Sequence, residues 1–261
     1  MHHDLTALAR YQLIPRLLHD VHEADTRCEL LGWRLEVPII PLLATKLDPA
    51  LTQGEHLSLV AEELLEGLSE TDLPSRLVPL IKVQKMAALV PRMRLWPTRG
   101  APALAIDMTA LADTPPFGST EWRPRTREDL AELRAAAGCP LWLYGVAGVA
   151  DAEVALEAGL EVLVVTSAAG AHLGAPATID VFPEILDAVA GTVAVYAGGP
   201  VQSGIDVFRY LAVGAEAVVV MSDRSLKGLQ AELAYAMRLT GCATLADISY
   251  DAIFAPLFSE G

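Results

Sequence analysis

The sequence is poor in basic residues. It has 19 Lys and Arg against 33 Asp and Glu in 261 residues, a formal net charge of -14 at pH 7. Because this charge repels a phosphate backbone and an anionic lipid surface alike, we expect neither nucleic acid nor a membrane as a partner. No apolar run reaches the ~18 residues that a membrane helix needs, which points to the same conclusion.

Cysteine and the common catalytic motifs are equally scarce. The three cysteines, Cys28, Cys139 and Cys242, show neither a C-x-x-C pair nor a metal-site spacing. Their odd number favours reduced thiols and a cytoplasmic protein. The start "MHHDLTALARYQL" has no signal-peptide layout, which favours the same compartment. A nucleophile elbow, a Walker loop, H-E-x-x-H and G-x-G-x-x-G are all missing, and we predict no metal site.

Alternating strand and helix patterns fill the second half of the chain. The apolar strands read "LWLYGV", "EVLVVTS", "TVAVYAGG" and "EAVVVMS", and each is followed by a helical pattern such as "SGIDVFRYLAVGA". The strands are Val-rich and lack polar alternation, so both of their faces are expected to be buried. Units of ~25–30 residues predict parallel strands joined by right-handed crossovers.

The first half supplies fewer strands. We predict strands at "EVPIIPLLA", "SRLVPLIKV" and "APALAIDM", and a helix at "GEHLSLVAEELLEGL". This makes seven clear strands, and an eighth, between Leu68 and Leu73, would have to be very short. The prediction is an α/β fold, a TIM (β/α)8 barrel with one strand-helix unit of the first half short or missing, in a single domain over residues 1–261.

The loops after the last two strands are candidates for anion binding. Gly198 and Gly199 in "YAGGP" would let backbone N–H groups approach an anion, and Ser203 opens a helix whose N-terminus favours negative charge. Ser222 and Arg224 follow the last strand, and barrels commonly bind phosphate between these two loops. In the alternative interpretation the glycines only make a tight turn and Arg224 is a surface residue.

Four other polar residues lie at or after predicted strand ends. Lys82, Asp107 and Tyr144 end three consecutive strands, and His172 lies in the loop after the sixth. All four are candidate catalytic residues, because active sites of such barrels lie where strands end. Lys82 and Asp107 are predicted either as an acid/base pair or as a structural ion pair that plugs the barrel. His172 is either a catalyst or an ordinary loop histidine.

Several segments in order carry a family resemblance. They are "RYQLIPRLLHDVHEADTRCELLGWRLEVPIIPLL", "EDLAELRAAAGCPLWLYGV", "DAEVALEAGLEVLVVTS", "GAPATIDVFPEILDAVAG", "AGGPVQSGIDVFRYLAVGAEAVVV" and "LTGCATLADI". Together they resemble the FMN-dependent α-hydroxy-acid dehydrogenase/oxidase family, which includes glycolate and lactate oxidases. The resemblance implies an FMN-binding TIM barrel and covers most of the chain, with the stretch 70–99 hard to place.

The departures from the family pattern fall on its chemistry. Family members carry S-N-H-G-G-R before the "GAPATID"-like stretch, where the His takes the substrate's proton and the Arg grips its carboxylate. With a one-residue deletion before Gly174, Ala168 and Ala171 occupy these two positions. Tyr144 stands for a flavin-contacting Lys, and Ala197 for the Asp of D-G-G. Losing a general base typically costs ~10²–10⁴ in rate, so ordinary 2-hydroxy-acid oxidation is not expected.

Three functional hypotheses follow. The first is a degenerate relative repurposed as a small-molecule enzyme of a biosynthetic pathway, with a phosphate- or carboxylate-binding site at the barrel top. The second is a non-catalytic binding or scaffold subunit, paired with another protein or with its own copies. The third is an FMN-binding oxidoreductase with an altered substrate, in which backbone contacts at Pro41 to Ala44 and at Gly198 and Gly199 would partly hold the cofactor. FMN is the cofactor that the resemblance implies, and the alternative is no cofactor.

Overall fold

The computed structural model describes residues 2–47, 56–66, 73–111, 124–221 and 224–255. Within them, eight parallel strands close into a barrel in which each strand pairs with its neighbours along the chain and the last pairs with the first. The strands are β1 Ile39–Leu43, β2 Ser58–Ala61, β3 Leu77–Lys82, β4 Leu104–Asp107, β5 Leu141–Val146, β6 Val162–Val165, β7 Ala194–Gly198 and β8 Ala217–Val220. The predicted TIM (β/α)8 barrel is therefore confirmed.

Helices cover the outside of this barrel. In the described residues they are α1 His2–Ala9, α2 Glu62–Leu65, α3 Met86–Thr98, α4 Arg127–Ala137, α5 Val149–Glu157, α6 Thr178–Val189, α7 Gly204–Ala212 and α8 Leu226–Thr240. Helix α4 has a side-chain cap, since the Thr126 side chain accepts a hydrogen bond from the Asp129 N–H and the two residues form a capping box. No helix in this part of the chain is both long and apolar enough to cross a bilayer.

The prediction for the second strand was wrong. The stretch expected to be a helix from Gly54 to Leu68 contains β2 and the single-turn helix α2, and the strand expected between Leu68 and Leu73 lies earlier in the chain. Residues 67–72 themselves fall outside the described part. Ser58–Ala61 is buried throughout and pairs with β1 on one side and β3 on the other. A fully buried strand of four residues gives no alternation that distinguishes it from a helix segment.

The core has two layers, inside and outside the barrel. Outward-facing strand residues pack against the helices, and the interior is filled by large side chains, among which Trp142 and Tyr196 meet edge to face at 5.4 Å. A hairpin of Cys28–Leu30 and Trp33–Leu35 packs Leu30 and Leu35 against this interior. The interior is thus a packed core, which leaves the carboxyl ends of the strands as the place for a site.

Helix α1 is anchored by a buried carboxylate. Asp4 is 5% exposed, and its oxygens accept hydrogen bonds from the Ser167 hydroxyl at 2.6 Å and from the Thr178 N–H at 2.8 Å. The Ser167 N–H donates in turn to the Thr178 hydroxyl at 3.0 Å. The amino-terminal helix is therefore tied directly to the loop after β6 and to the start of α6.

Candidate functional site

Three of the predicted residues share one level of the barrel mouth. In the strand register Lys82 of β3 lies opposite Asp107 of β4, and Asp107 lies opposite Tyr144 of β5. Neighbouring strands lie ~4.8 Å apart, so the three side chains start from adjacent positions at the carboxyl ends of the strands. The structure therefore brings together three of the four residues predicted to be catalytic.

Lys82 forms an ion pair with Glu63, and Asp107 accepts hydrogen bonds from Thr109. The Lys82 Nζ lies 2.9 Å from a carboxylate oxygen of Glu63, and both side chains are about half exposed. This ion pair holds the pKa of Glu63 below its usual range. Asp107 accepts hydrogen bonds from the Thr109 N–H at 2.9 Å and from the Thr109 hydroxyl at 2.5 Å. Lys82 thus pairs with Glu63, and the two interpretations of Lys82 and Asp107, as an acid/base pair or as a structural ion pair, stay predictions.

The ring of Tyr144 lies across the carboxyl end of β6. Its ring reaches past β6, so that a ring carbon lies 3.5 Å from where a Cβ on Gly198 of β7 would be. Burial, together with the nearby Asp107 carboxylate, raises the pKa of Tyr144 to about 12. The phenol is therefore neutral at physiological pH and can serve as a hydrogen-bond donor, not as a base.

The loop after β6 is a short helical turn that carries an exposed apolar side chain. Residues Ala168–Leu173 form a short 3-10 helix that ends at Gly174 in the left-handed conformation. His172 lies in this turn, although its side chain is outside the described part. Leu173 on this loop and Met221 after β8 are exposed by 79% and 65%. The mouth therefore combines polar groups on β3 to β5 with exposed apolar side chains on the loops after β6 and β8.

Internal packing explains the two glycines after β7. A Cβ on Gly198 would lie 2.8 Å from Cγ1 of Val164, and a Cβ on Gly199 would lie 2.3 Å from the hydroxyl of Tyr210. Real Cβ atoms essentially never make such contacts. The absence of side chains at these positions is thus required by the chain's own neighbours, whether or not an anion binds there.

We predict that Gly199→Ala lowers the free energy of unfolding by about 1–3 kcal/mol, because the new methyl group overpacks against Tyr210. Chemical denaturation measures the change. The double variant with Tyr210→Phe removes the closest atom, so the two substitutions should be coupled by about 1 kcal/mol in a double-mutant cycle. Additive losses would show that contact with the Tyr210 hydroxyl is not the reason why position 199 requires glycine.

The remaining residues of the predicted anion site are engaged within the chain. Ser203 caps α7 by accepting from the Asp206 N–H. Arg224 donates to the Gln202 carbonyl at 3.0 Å and forms an ion pair with Glu232 of α8. Ser222 lies outside the described residues. The expectation that Ser203, Ser222 and Arg224 bind a cofactor stays a prediction.

The sequence did not predict the carboxylates that pair with Lys82 and Arg224. Glu63 was hidden by the helix expected around β2, although it follows the strand by two residues. Glu232 lies on α8, and nothing in its spacing links it to Arg224. Within the described residues no group of three or more His, Cys, Asp or Glu side chains could hold a metal ion.

The comparisons with known proteins now identify the family. The model of the FMN-dependent dehydrogenase family matches residues 72–255, well over half of the sequence. The chain belongs to the FMN-dependent dehydrogenase family. Among solved structures it is similar to a mandelate oxidase variant carrying a monooxide FMN adduct, with a TM-score of 0.75 and 24% identity over 97% of this chain and 90% of that one. At this identity the likeness shows the shared fold.

The sequence similarity to two curated relatives extends over different lengths of the chain. An L-lactate oxidase of Roseobacter sp. is 36% identical over 143 residues, which are 49% of this chain and 39% of that protein. 2-Hydroxyacid oxidase 2 of Mus musculus is 27% identical over 96% of this chain and 88% of that protein. The stronger match thus spans about two fifths of the oxidase that it resembles.

The family implies FMN, whose expected phosphate position the structure describes only in part. Barrels of this kind commonly hold phosphate between the loops after the seventh and eighth strands. Here Ser222 lies outside the described residues, and the nearby cation Arg224 is paired with Glu232. We therefore derive no chemical step through a flavin.

Proposed function

We propose that this family member binds a small anionic molecule at the barrel mouth and has lost 2-hydroxy-acid oxidation by a His base and an Arg clamp. The observation that carries the proposal is the common level of Lys82, Asp107 and Tyr144 on three adjacent strands. Lys82 supplies positive charge, and the neutral Tyr144 phenol supplies a donor.

The pairing of Lys82 with Glu63 is compatible with ligand binding. An ion pair between half-exposed side chains contributes only about 0–1 kcal/mol. An incoming carboxylate can therefore displace Glu63 at small cost and gain a hydrogen bond from Tyr144 as well. The exposed Leu173 and Met221 offer contacts to an apolar part of the same molecule.

The altered loop after β6 supports the loss of the family's chemistry. Ala168 and Ala171 stand where the family pattern has its base and its carboxylate clamp, and a methyl group can neither accept a proton nor bind a carboxylate. At the mouth, Asp107 is the candidate to replace the missing base. Its Oδ1, however, already accepts two hydrogen bonds from Thr109. Both points favour binding, or a different reaction, over oxidation.

The test uses the purified full chain with lactate and mandelate, the acids in the names of its relatives. With FMN added, we expect no hydrogen peroxide above background from either acid. A panel of small carboxylates, followed by calorimetry, should contain at least one ligand that Lys82→Ala weakens about 10-fold or more, or about 1.4 kcal/mol. Arg238→Ala, which removes an exposed cation at the far end of α8, should leave its affinity unchanged.

Two results would contradict this proposal. Sustained peroxide production from lactate or mandelate would show that the family reaction survives without the His and Arg. Carboxylate binding that Lys82→Ala and Arg238→Ala weaken equally would show that net charge, not the mouth, governs affinity.

A binding or scaffold subunit is the second candidate, favoured by an exposed apolar surface away from the mouth. Leu17 and Leu18 are exposed by 78% and 94%, and Phe254, on the strand that pairs with Gln12–Leu13, is 61% exposed. Light scattering would test it on the parent and on the Leu17→Ser/Leu18→Ser variant. An assembly that the double substitution dissociates supports this function, and a monomeric parent counts against self-association.

A further inference from the structure

Charges of alternating sign lie at the ends of three neighbouring strands. Glu63 follows β2 by two residues, Lys82 ends β3 and Asp107 ends β4, and these strands pair in this order. The Lys82 ammonium group is 2.9 Å from a carboxylate oxygen of Glu63 on one side, and Asp107 lies opposite Lys82 in the strand register on the other. Together the three side chains bring two carboxylates and one ammonium group to this part of the mouth.

Thr109 orients the Asp107 carboxylate. Its N–H and its hydroxyl donate to Oδ1 of Asp107 at 2.9 and 2.5 Å. Because both donors are neutral, they fix the position of the carboxylate without cancelling its negative charge. Burial, and after it the Asp107 carboxylate, raise the pKa of Tyr144 to about 12. The negative charge at the end of β4 therefore acts on groups at the neighbouring strand end.

A simple carboxylate gains little in this arrangement. It can displace the half-exposed Glu63 from Lys82, but it then lies near the carboxylates of both Glu63 and Asp107, and like charges at short distance repel. A ligand that brings its own ammonium group avoids this repulsion. Its carboxylate takes the place of Glu63 at Lys82, and its ammonium group takes the place of Lys82 at Glu63. Both charges of the original ion pair then keep a partner of opposite sign.

We infer that the ligand of the mouth is an amino acid, whose carboxylate is bound by Lys82 and whose ammonium group is bound by Glu63 and Asp107. The inference rests on the proposed function, because this carboxylate is the anionic group that Lys82 is proposed to bind. Asp107 is then a specificity-determining residue, since a carboxylate binds an ammonium group more strongly than a hydroxyl group. The mouth therefore favours an amino acid over the 2-hydroxy acid with the same carbon skeleton. The exposed Leu173 and Met221 suit an apolar side chain on this ligand.

The test compares two pairs of ligands that differ only in this group, alanine with lactate and phenylglycine with mandelate. Calorimetry with the full chain at neutral pH gives the dissociation constants. In at least one pair we expect the amino acid to bind at least about 10-fold more tightly than the hydroxy acid. Asp107→Asn keeps an oxygen that can accept from Thr109 but removes the charge, so it should reduce this preference by about 10-fold. Glu153→Gln removes a carboxylate at an exposed position of α5 and should keep the preference of the parent.

The inference is overturned if neither amino acid binds more tightly than its hydroxy acid. A folded Asp107→Asn variant, verified by circular dichroism, that keeps the parent's preference would overturn it as well. Should this variant fail to fold, Glu63→Gln decides the question, because it removes the other carboxylate beside the ammonium group and should also reduce the preference.

Lys82→Ala separates this inference from the proposed function. If Lys82→Ala weakens both members of a pair and the parent shows no preference between them, the inference fails and the proposed function stands. If Lys82→Ala leaves the affinities for all four ligands unchanged, Lys82 does not bind the carboxylate and the two fail together.

Discussion

Trp142→Ala should lower the free energy of unfolding by about 3–5 kcal/mol, because it empties the middle of the barrel. Trp142 is fully buried, and its ring meets Tyr196 edge to face at 5.4 Å. Eight closed strands surround the vacated volume and cannot collapse into it as a loop could. Denaturant unfolding at equilibrium measures the loss, which should appear as an unchanged slope and an earlier midpoint.

Trp142→Phe is the matched control. Among the residues that the structure describes, the indole N–H of Trp142 meets no hydrogen-bond acceptor. Phenylalanine retains most of the aromatic volume and removes this unsatisfied donor, so the two effects oppose each other. We expect a change within about 1 kcal/mol. A loss as large as that of Trp142→Ala would instead indicate that the indole N–H has an acceptor in the folded protein.

Asp4→Ala should destabilise the protein by about 3 kcal/mol. The substitution removes two hydrogen bonds to a buried carboxylate and leaves the Thr178 N–H and the Ser167 hydroxyl without their acceptor. For a chain of this size the midpoint of thermal unfolding should fall by about 10 °C. Limited proteolysis should also cut the loop after β6 faster, because α1 no longer holds Ser167.

Asp4→Asn tests whether hydrogen bonding or charge is responsible. An asparagine can still accept from Thr178 through its oxygen and can donate to the Ser167 hydroxyl through its amide. It should therefore lose less than half of what Asp4→Ala loses. The exposed Asp20→Ala serves as the surface control and should change the midpoint little. Equal midpoints for Asp4→Ala and Asp20→Ala would mean that α1 is not anchored by its carboxylate.

Most of the barrel was predictable from the chain. Seven of the eight strands lie within the predicted segments, because each is an apolar run bounded by Gly, Pro or a capping residue. β2 was not, because its four buried residues precede a helical turn without a break, and the whole stretch reads as helical. The closure of the barrel required β2, and only the pairing of β2 with β1 and β3 revealed it.

The candidate site was predictable where it depends on strand ends alone. Lys82, Asp107 and Tyr144 end consecutive parallel strands, so their common level followed from the fold class. Their partners did not follow. Glu63 was concealed by the wrong assignment of β2, and its contact with Lys82 depends on side-chain geometry that strand order does not specify.

The sequence by itself determined the fold class and the family, since these rest on local patterns and on residue identity, whereas the loss of the family's His and Arg stays a prediction. Only the tertiary structure decided which charges neutralise one another. Glu232 reaches Gly204 across 28 positions, and Asp4 reaches Thr178 across 174. Such contacts form because closing the barrel brings α7 beside α8 and α1 beside α6. In the same way Arg224 pairs with Glu232, a carboxylate that no motif connects to it.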